Sequence, residues 1–143
     1  MSEATHDLDR FLVAQEDVYN RALQELRAGE KHTHWMWFIF PQIIGLGYSG
    51  TSQYYALKSH EEAQTYLVHQ VLGSRLLEST AAVMFLVDRS ALDIFGAIDE
   101  LKFHSSMTLF AHIAGSDSIY QQALDKYFNG EQDYRTLEIL DRM

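Results

Sequence analysis

Thr33-His34-Trp35-Met36-Trp37-Phe38-Ile39-Phe40-Pro41-Gln42 is the least ordinary stretch of this chain. From Trp35 to Phe40 every residue is apolar, so neither a helical nor a strand period can assign it. Its surroundings can. Almost no other run alternates with period two, and Val/Ile/Thr-rich runs bounded by turn residues are missing. A lone strand would leave its backbone N–H and C=O groups without a ladder to join. The stretch is therefore read as a buried helix or turn, and the chain as all-α.

Outward from that stretch the periodicity is helical. Leu8, Phe11, Leu12, Tyr19, Ala22, Leu23 and Leu26 predict a first helix over 7–28, with Gly29 as its stop. After the aromatic stretch come a glycine-rich segment, 45–50, and a short element around 53–57. Ser59 and Glu62 have capping-box spacing and open a helix to about residue 68 that buries Ala63, Tyr66 and Leu67. A longer helix over 71–87 places Leu72, Leu76, Val83, Met84 and Val87 on one face. Ser90 with Asp93 caps a short turn that ends at Gly96, and a helix over 98–114 buries Phe103, Met107, Phe110 and Ala114. Ser118 starts the next helix, with Tyr120, Ala123, Leu124, Tyr127 and Phe128 inward, and Gly130 ends it. Asp133 caps the last, which uses Leu137 and Leu140. The expected fold is a compact single-domain bundle of about six to eight short helices over 1–143, not a regular four-helix bundle.

A chain of 143 residues has the length of one domain. It buries roughly two thirds of its unfolded surface and needs neither metal nor disulfide to fold. There are no cysteines, which excludes disulfide and thiol chemistry. The first ten residues are polar and lack the apolar core of a signal peptide, and no apolar run approaches the length of a membrane span. A cytoplasmic location is expected. With 11 basic against 20 acidic residues, the net charge of −9 repels phosphate backbones and anionic lipid. Nucleic acid and membrane are therefore excluded as main partners. A small anionic ligand is not, because net charge says little about one cleft. The chain is expected as a monomer or homodimer.

Polar groups at the margins of the apolar stretch are the first site candidates. Phe38, Ile39 and Phe40 read as core, whereas His34 and Gln42 flank it, and Trp35 or Trp37 offers a ring to a planar ligand. Pro41 pushes Phe40 out of helical geometry, so Gln42 lies where the backbone turns. Gln15 sits on the apolar stripe of the first helix; it either bridges to neighbouring backbone or meets a ligand. Asp99, Lys102 and Ser106 share a helical face, with Ser105, Thr108 and His112 on the next stripe. A lysine beside a serine activates it in serine–lysine hydrolases. Without an acid–base partner in sight, anion contact by Lys102, Ser105 and Ser106 is the better reading. Gly45 to Gly50 matches G-x-G-x-x-G, but position 70 is Gln and no strand–helix pattern surrounds it, so no dinucleotide cofactor is expected. The segment remains a candidate for anion contact through its backbone N–H groups with Ser49, Thr51 and Ser52. The seven histidines form no metal-ligand spacing, and no metal is expected.

The chain also resembles a family of small bacterial proteins known as domain of unknown function 1810, sometimes labelled calpastatin. The resemblance is carried by Asp9-Arg10-Phe11, Ala14-Gln15, His34 to Gln42, Gly45-Leu46-Gly47, Tyr55-Ala56, Leu72-Gly73, Arg75-Leu76, and Lys102 with Ser105 to Phe110. Gln70, where the family often has proline, and Phe103-His104 depart from its pattern. The resemblance implies an all-helical single domain and no settled activity.

The resulting expectation is a small-molecule site between the first helix, the aromatic stretch and the helix of Lys102. Gln15, His34 and Gln42 would supply hydrogen bonds, Trp35 or Trp37 stacking, and Lys102, Ser105 and Ser106 contact with an anion. A nucleotide- or sugar-phosphate-like ligand fits. If the chain catalyses a reaction, hydrolysis or group transfer with His34 as acid–base group is expected. The alternative is a non-catalytic interaction module or homodimer, with the aromatic stretch in an interface.

Overall fold

The computed structural model describes residues 7–143. Residues 1–6 of the polar opening segment lie outside the described residues. Among the described residues there are nine helices and no strand: α1 (Asp9–Gln15), α2 (Tyr19–Ala28), α3 (Met36–Ile39), α4 (Gly50–Tyr55), α5 (His60–Val68), α6 (Leu72–Phe85), α7 (Ala91–Ala114), α8 (Ile119–Phe128) and α9 (Tyr134–Asp141). The all-α expectation holds.

The single long helix expected over 7–28 is two. The chain tightens at Glu16 and Val18, whose N–H groups donate to Val13 and Gln15 carbonyls three residues back, and α2 starts afresh at Tyr19. The break lets two apolar faces look in different directions: α1 packs on α3, whereas α2 packs on α6. A straight helix would present one stripe to one neighbour.

Helix α7 is the centre of the molecule. Phe103 and every residue from Ser105 to Ala111 are buried, so it is covered on nearly all sides rather than along one stripe. Helices α3, α5, α8 and α9 surround it. Ala114, expected inside, is exposed because the helix runs out of neighbours there, and Val87 likewise lies beyond the end of α6. At Gly96 the backbone turns to φ 82°, ψ 167°, a conformation glycine adopts without a Cβ penalty. This break separates the Ser90–Asp93 capped first turn from the long remainder. It also leaves the Ile94 carbonyl free to accept the Lys31 N–H at 2.8 Å.

The aromatic stretch becomes the single turn α3 and the core beneath it. Trp35 and Phe40 are fully buried. Phe40 meets Phe103 edge to face at 5.1 Å and Phe95 at 6.0 Å between ring centroids. Such pairs contribute roughly 0.5–1.5 kcal/mol beyond their burial. After Pro41 the chain makes an isolated parallel bridge, Ile43 to Leu57, in which Leu57 N–H donates to the Gln42 carbonyl and Ile44 N–H to the Leu57 carbonyl, both at 2.9 Å. The bridge fixes both ends of the segment carrying Gly45, Gly47 and α4. Gly47 is required here: a Cβ would lie 2.7 Å from the Ser52 side chain.

Two capping signals resolve differently. Ser90 and Asp93 form the complete reciprocal box. Ser59 accepts the Glu62 N–H at 3.0 Å, but the Glu62 carboxylate reaches past it to the Lys58 N–H at 2.8 Å and to Arg10 at 3.3 Å. The Arg10 and Glu62 side chains are both buried, and Arg10 also donates to the Tyr54 and Ala56 carbonyls. This ion pair pins α1 to the start of α5. No helix among the described residues is long and apolar enough to cross a membrane.

Candidate functional site

The broken start of α7 organises the polar chemistry beside the aromatic core. Lys31, drawn in by its backbone bond to Ile94, places its ammonium 2.8 Å from Asp99, and its side chain is only 7% exposed. Asp99 pairs on its other oxygen with Lys102 at 3.3 Å. Each lysine lies over a tryptophan: Lys31 is 5.1 Å from the Trp35 ring centroid and Lys102 5.9 Å from that of Trp37. One carboxylate thus serves two ammonium groups, and the trio carries a net positive charge.

Glu25 holds the loop that delivers Lys31. Its carboxylate accepts from the His32 and Thr33 N–H groups, the Thr33 hydroxyl and the Trp35 indole N–H, at 2.6–3.0 Å. Burial opposes its ionisation, but these donors together bring its pKa down to about 2. The indole N–H of the fully buried Trp35 is thereby satisfied inside the fold.

Lys102 opens into a cleft of about 360 Å³, walled by the 42–52 segment, the solvent side of α7 and the start of α9. Gln42, Ser52, Lys102, Ser105, Asp133 and Arg135 supply its polar groups. Trp37 is half-buried and lines a narrow slot that shares Gln42, Leu46 and Gly47 with this cleft. At the α9 end Asp133 accepts from the Thr136 N–H at 3.1 Å, the Thr136 hydroxyl at 2.5 Å and the Ser105 hydroxyl at 3.1 Å. Ser105 also reaches the Leu101 carbonyl at 3.0 Å. Its proton is thus directed at protein acceptors, while its oxygen keeps a lone pair. Arg135 is exposed, and its guanidinium makes no hydrogen bond or ion pair within the described residues.

Of the residues singled out from sequence, the fold brings Trp37, Gln42, Lys102 and Ser105 together. The others lie elsewhere. Gln15 is buried, donating to the Phe38 carbonyl at 2.7 Å and the Tyr66 hydroxyl at 3.3 Å, and accepting from Arg75 at 3.2 Å. Trp35 is in the core. Ser106 is fully buried one turn beyond Lys102, its hydroxyl without a hydrogen-bond partner among the described residues. His34 is exposed on the loop before α3 and does not line the cleft. Within the glycine-rich segment, the Ser49 hydroxyl is engaged in capping α4 and Ser52 faces the cleft. Among the described residues no group of three or more His, Asp or Glu side chains is placed to hold a metal. Arg135 and Asp133, which line the cleft, and Lys31, which pairs with Asp99, are not among the candidates the sequence offers. Each reads in sequence as a cap or a surface charge, and only the docking of α9 and the break at Gly96 bring them in.

Comparison with known proteins adds a family and a fold. None of the curated proteins matches the chain. The crystal structure of the conserved hypothetical protein Rv1873 from Mycobacterium tuberculosis is 48% identical, with a TM-score of 0.92 over 94% of this chain and 96% of that one. The model of a family described as protein of unknown function (DUF1810) matches residues 5–140, which include the aromatic stretch, the 42–52 segment, Lys102 and Arg135. The chain belongs to the DUF1810 family.

Proposed function

We propose that the cleft between the 42–52 segment, α7 and α9 binds a small anionic molecule of nucleotide or sugar-phosphate type. The supporting observation is the convergence of Gln42, Lys102 and Arg135, from three separate elements, on one open cleft of a chain whose net charge is −9. Lys102 shares its counter-ion with Lys31, and Arg135 has no ion-pair partner among the described residues, so both retain attraction for an incoming anion. The volume lies within the roughly 300–1,000 Å³ of small-molecule sites. Trp37 offers its ring beside Gln42, and the half-buried Gln42 amide supplies both donor and acceptor capacity. His34 is outside the cleft, so the reading is one of binding and assigns no bond-breaking step.

A thermal-shift screen against nucleotides and sugar phosphates, followed by calorimetry, tests it. At least one phosphate-bearing compound raises the melting temperature, and the shift shrinks with added salt. Lys102→Ala and Gln42→Ala abolish the shift while each unliganded variant melts within a few degrees of wild type. The Lys102–Asp99 pair is partly solvated and contributes about 0–1 kcal/mol. Equal ligand shifts in wild type and both variants would refute the assignment.

A further inference from the structure

The cavity does not end at Arg135. The same side chain lines a second groove, of about 450 Å³, on the other side of the glycine-rich segment. Ile44, Ile139 and Met143 line it with apolar atoms, Tyr48 with a ring, and Glu138 and Arg142 are its remaining charged groups. Tyr48 is 82% exposed, so its ring face is available. The Glu138 carboxylate has no hydrogen bond or ion pair within the described residues, and Arg142 touches only its backbone carbonyl. Gly45 lies against Ile139, where a Cβ would come within 3.2 Å of the isoleucine side chain, and it carries φ 105°. A glycine is needed there for the segment to pack this closely on α9.

Arg135 lines both this groove and the first cleft, so a phosphate taken by Arg135 and Lys102 leaves the rest of its molecule beside the exposed Tyr48 ring and the Glu138 carboxylate. We infer that the ligand of this site is a nucleoside monophosphate with an amino-bearing base. The inference rests on the anion-binding reading of the adjoining cleft and narrows it. Phosphate oxygens take the Arg135 guanidinium and the Lys102 ammonium, a pairing that a planar fork and a point charge serve together. The base lies against Tyr48, and its amino N–H donates to the Glu138 carboxylate. A sugar phosphate would fill the first cleft and leave Tyr48 and Glu138 unused.

The test compares GMP, UMP and ribose phosphate by calorimetry, with amide chemical shifts locating each. GMP binds wild type about tenfold or more tightly than ribose phosphate, the scale of one base stacked on an aromatic ring. UMP, which lacks the amino group, falls between. Tyr48→Ala removes the GMP advantage and leaves ribose phosphate binding unchanged. Glu138→Ala, which removes the acceptor, brings GMP to the level of UMP. Arg135→Ala weakens all three. Tyr48, Arg135 and Glu138 are exposed, and these substitutions remove no buried contact. Equal affinities of GMP and ribose phosphate for wild type would overturn the nucleotide assignment while leaving the anion site standing. Absence of any shift at Gln42, Lys102 or Arg135 with all three compounds would overturn both.

Discussion

Gln15→Leu separates a structural bridge from a ligand contact at the one buried glutamine of α1. The Gln15 amide joins α1 to the Phe38 carbonyl, the Tyr66 hydroxyl and Arg75, so it ties together α3, α5 and α6. Leucine has nearly the same volume and none of the polar atoms. It leaves two partners orphaned in the core, the Phe38 carbonyl and the hydroxyl of the fully buried Tyr66, whose pKa burial already pushes up. Arg75 is half-buried, can turn to water, and keeps its place 4.8 Å over the Tyr19 ring. Two orphaned groups at about 1–3 kcal/mol each, less about 1 kcal/mol returned by leucine burial, give a loss of about 1–5 kcal/mol. At about 3 °C per kcal/mol for a chain of this size, the melting temperature falls by about 3–15 °C. Urea denaturation provides the free energy and differential scanning fluorimetry the temperature. A double-mutant cycle with Tyr66→Phe isolates the shared bond: removing the orphaned hydroxyl makes the double variant more stable than the two single losses sum to, by about 1 kcal/mol. A Gln15→Leu protein within about 0.5 kcal/mol of wild type, yet without a ligand response, would refute the reasoning and place Gln15 in the binding site.

Further predictions concern the framework around the site. Glu25 titrates near 2 in the folded chain against an ordinary 4.5, so its contribution is complete above 4.5 and drains away as pH falls toward about 2. Wild type should therefore lose stability over that window more steeply than Glu25→Gln, measured as the urea midpoint against pH; parallel curves would contradict the four-donor cradle. A Cβ on Gly73 would sit 2.1 Å from the Leu67 carbonyl, so Gly73→Ala should cost about 1–3 kcal/mol in urea unfolding as α5 and α6 are pushed apart. A neutral or stabilised Gly73→Ala would show that the approach of the two helices is looser than described.

Much of the helix plan was legible locally. Ser59, Ser90, Ser118 and Asp133 each accept the N–H of the third residue onward, where their spacing predicts an N-cap. Gly29 ends α2 in the left-handed conformation, as a stop there requires. Hydroxyl caps and left-handed glycines depend on a few neighbouring atoms, so a short window of sequence contains their causes. The split of the first helix was not legible, because its residues keep helical spacing throughout. Its cause lies in α3 and α6, which claim different faces of α1 and α2. The site shows the same division. Gln42 stands out as a polar group at the margin of a dry segment and Lys102 by its helical face with Asp99 and Ser106, and both line the cleft. Arg135 carried no such mark, since a lone arginine in an amphipathic helix is ordinary.

What the sequence alone determined is the helical class, the caps and stops, and the core role of Phe38, Ile39 and Phe40, all consequences of apolar spacing and local hydrogen bonding. Only the tertiary structure decided which polar groups share a space. The break at Gly96 draws Lys31 to Asp99, the Ile43–Leu57 bridge holds the glycine-rich segment over α7, and the docking of α9 brings Arg135 opposite Lys102. The physical reason is range. Propensity and capping act over three or four residues, whereas a binding cleft is made by side chains far apart in sequence, which meet only after the core has packed.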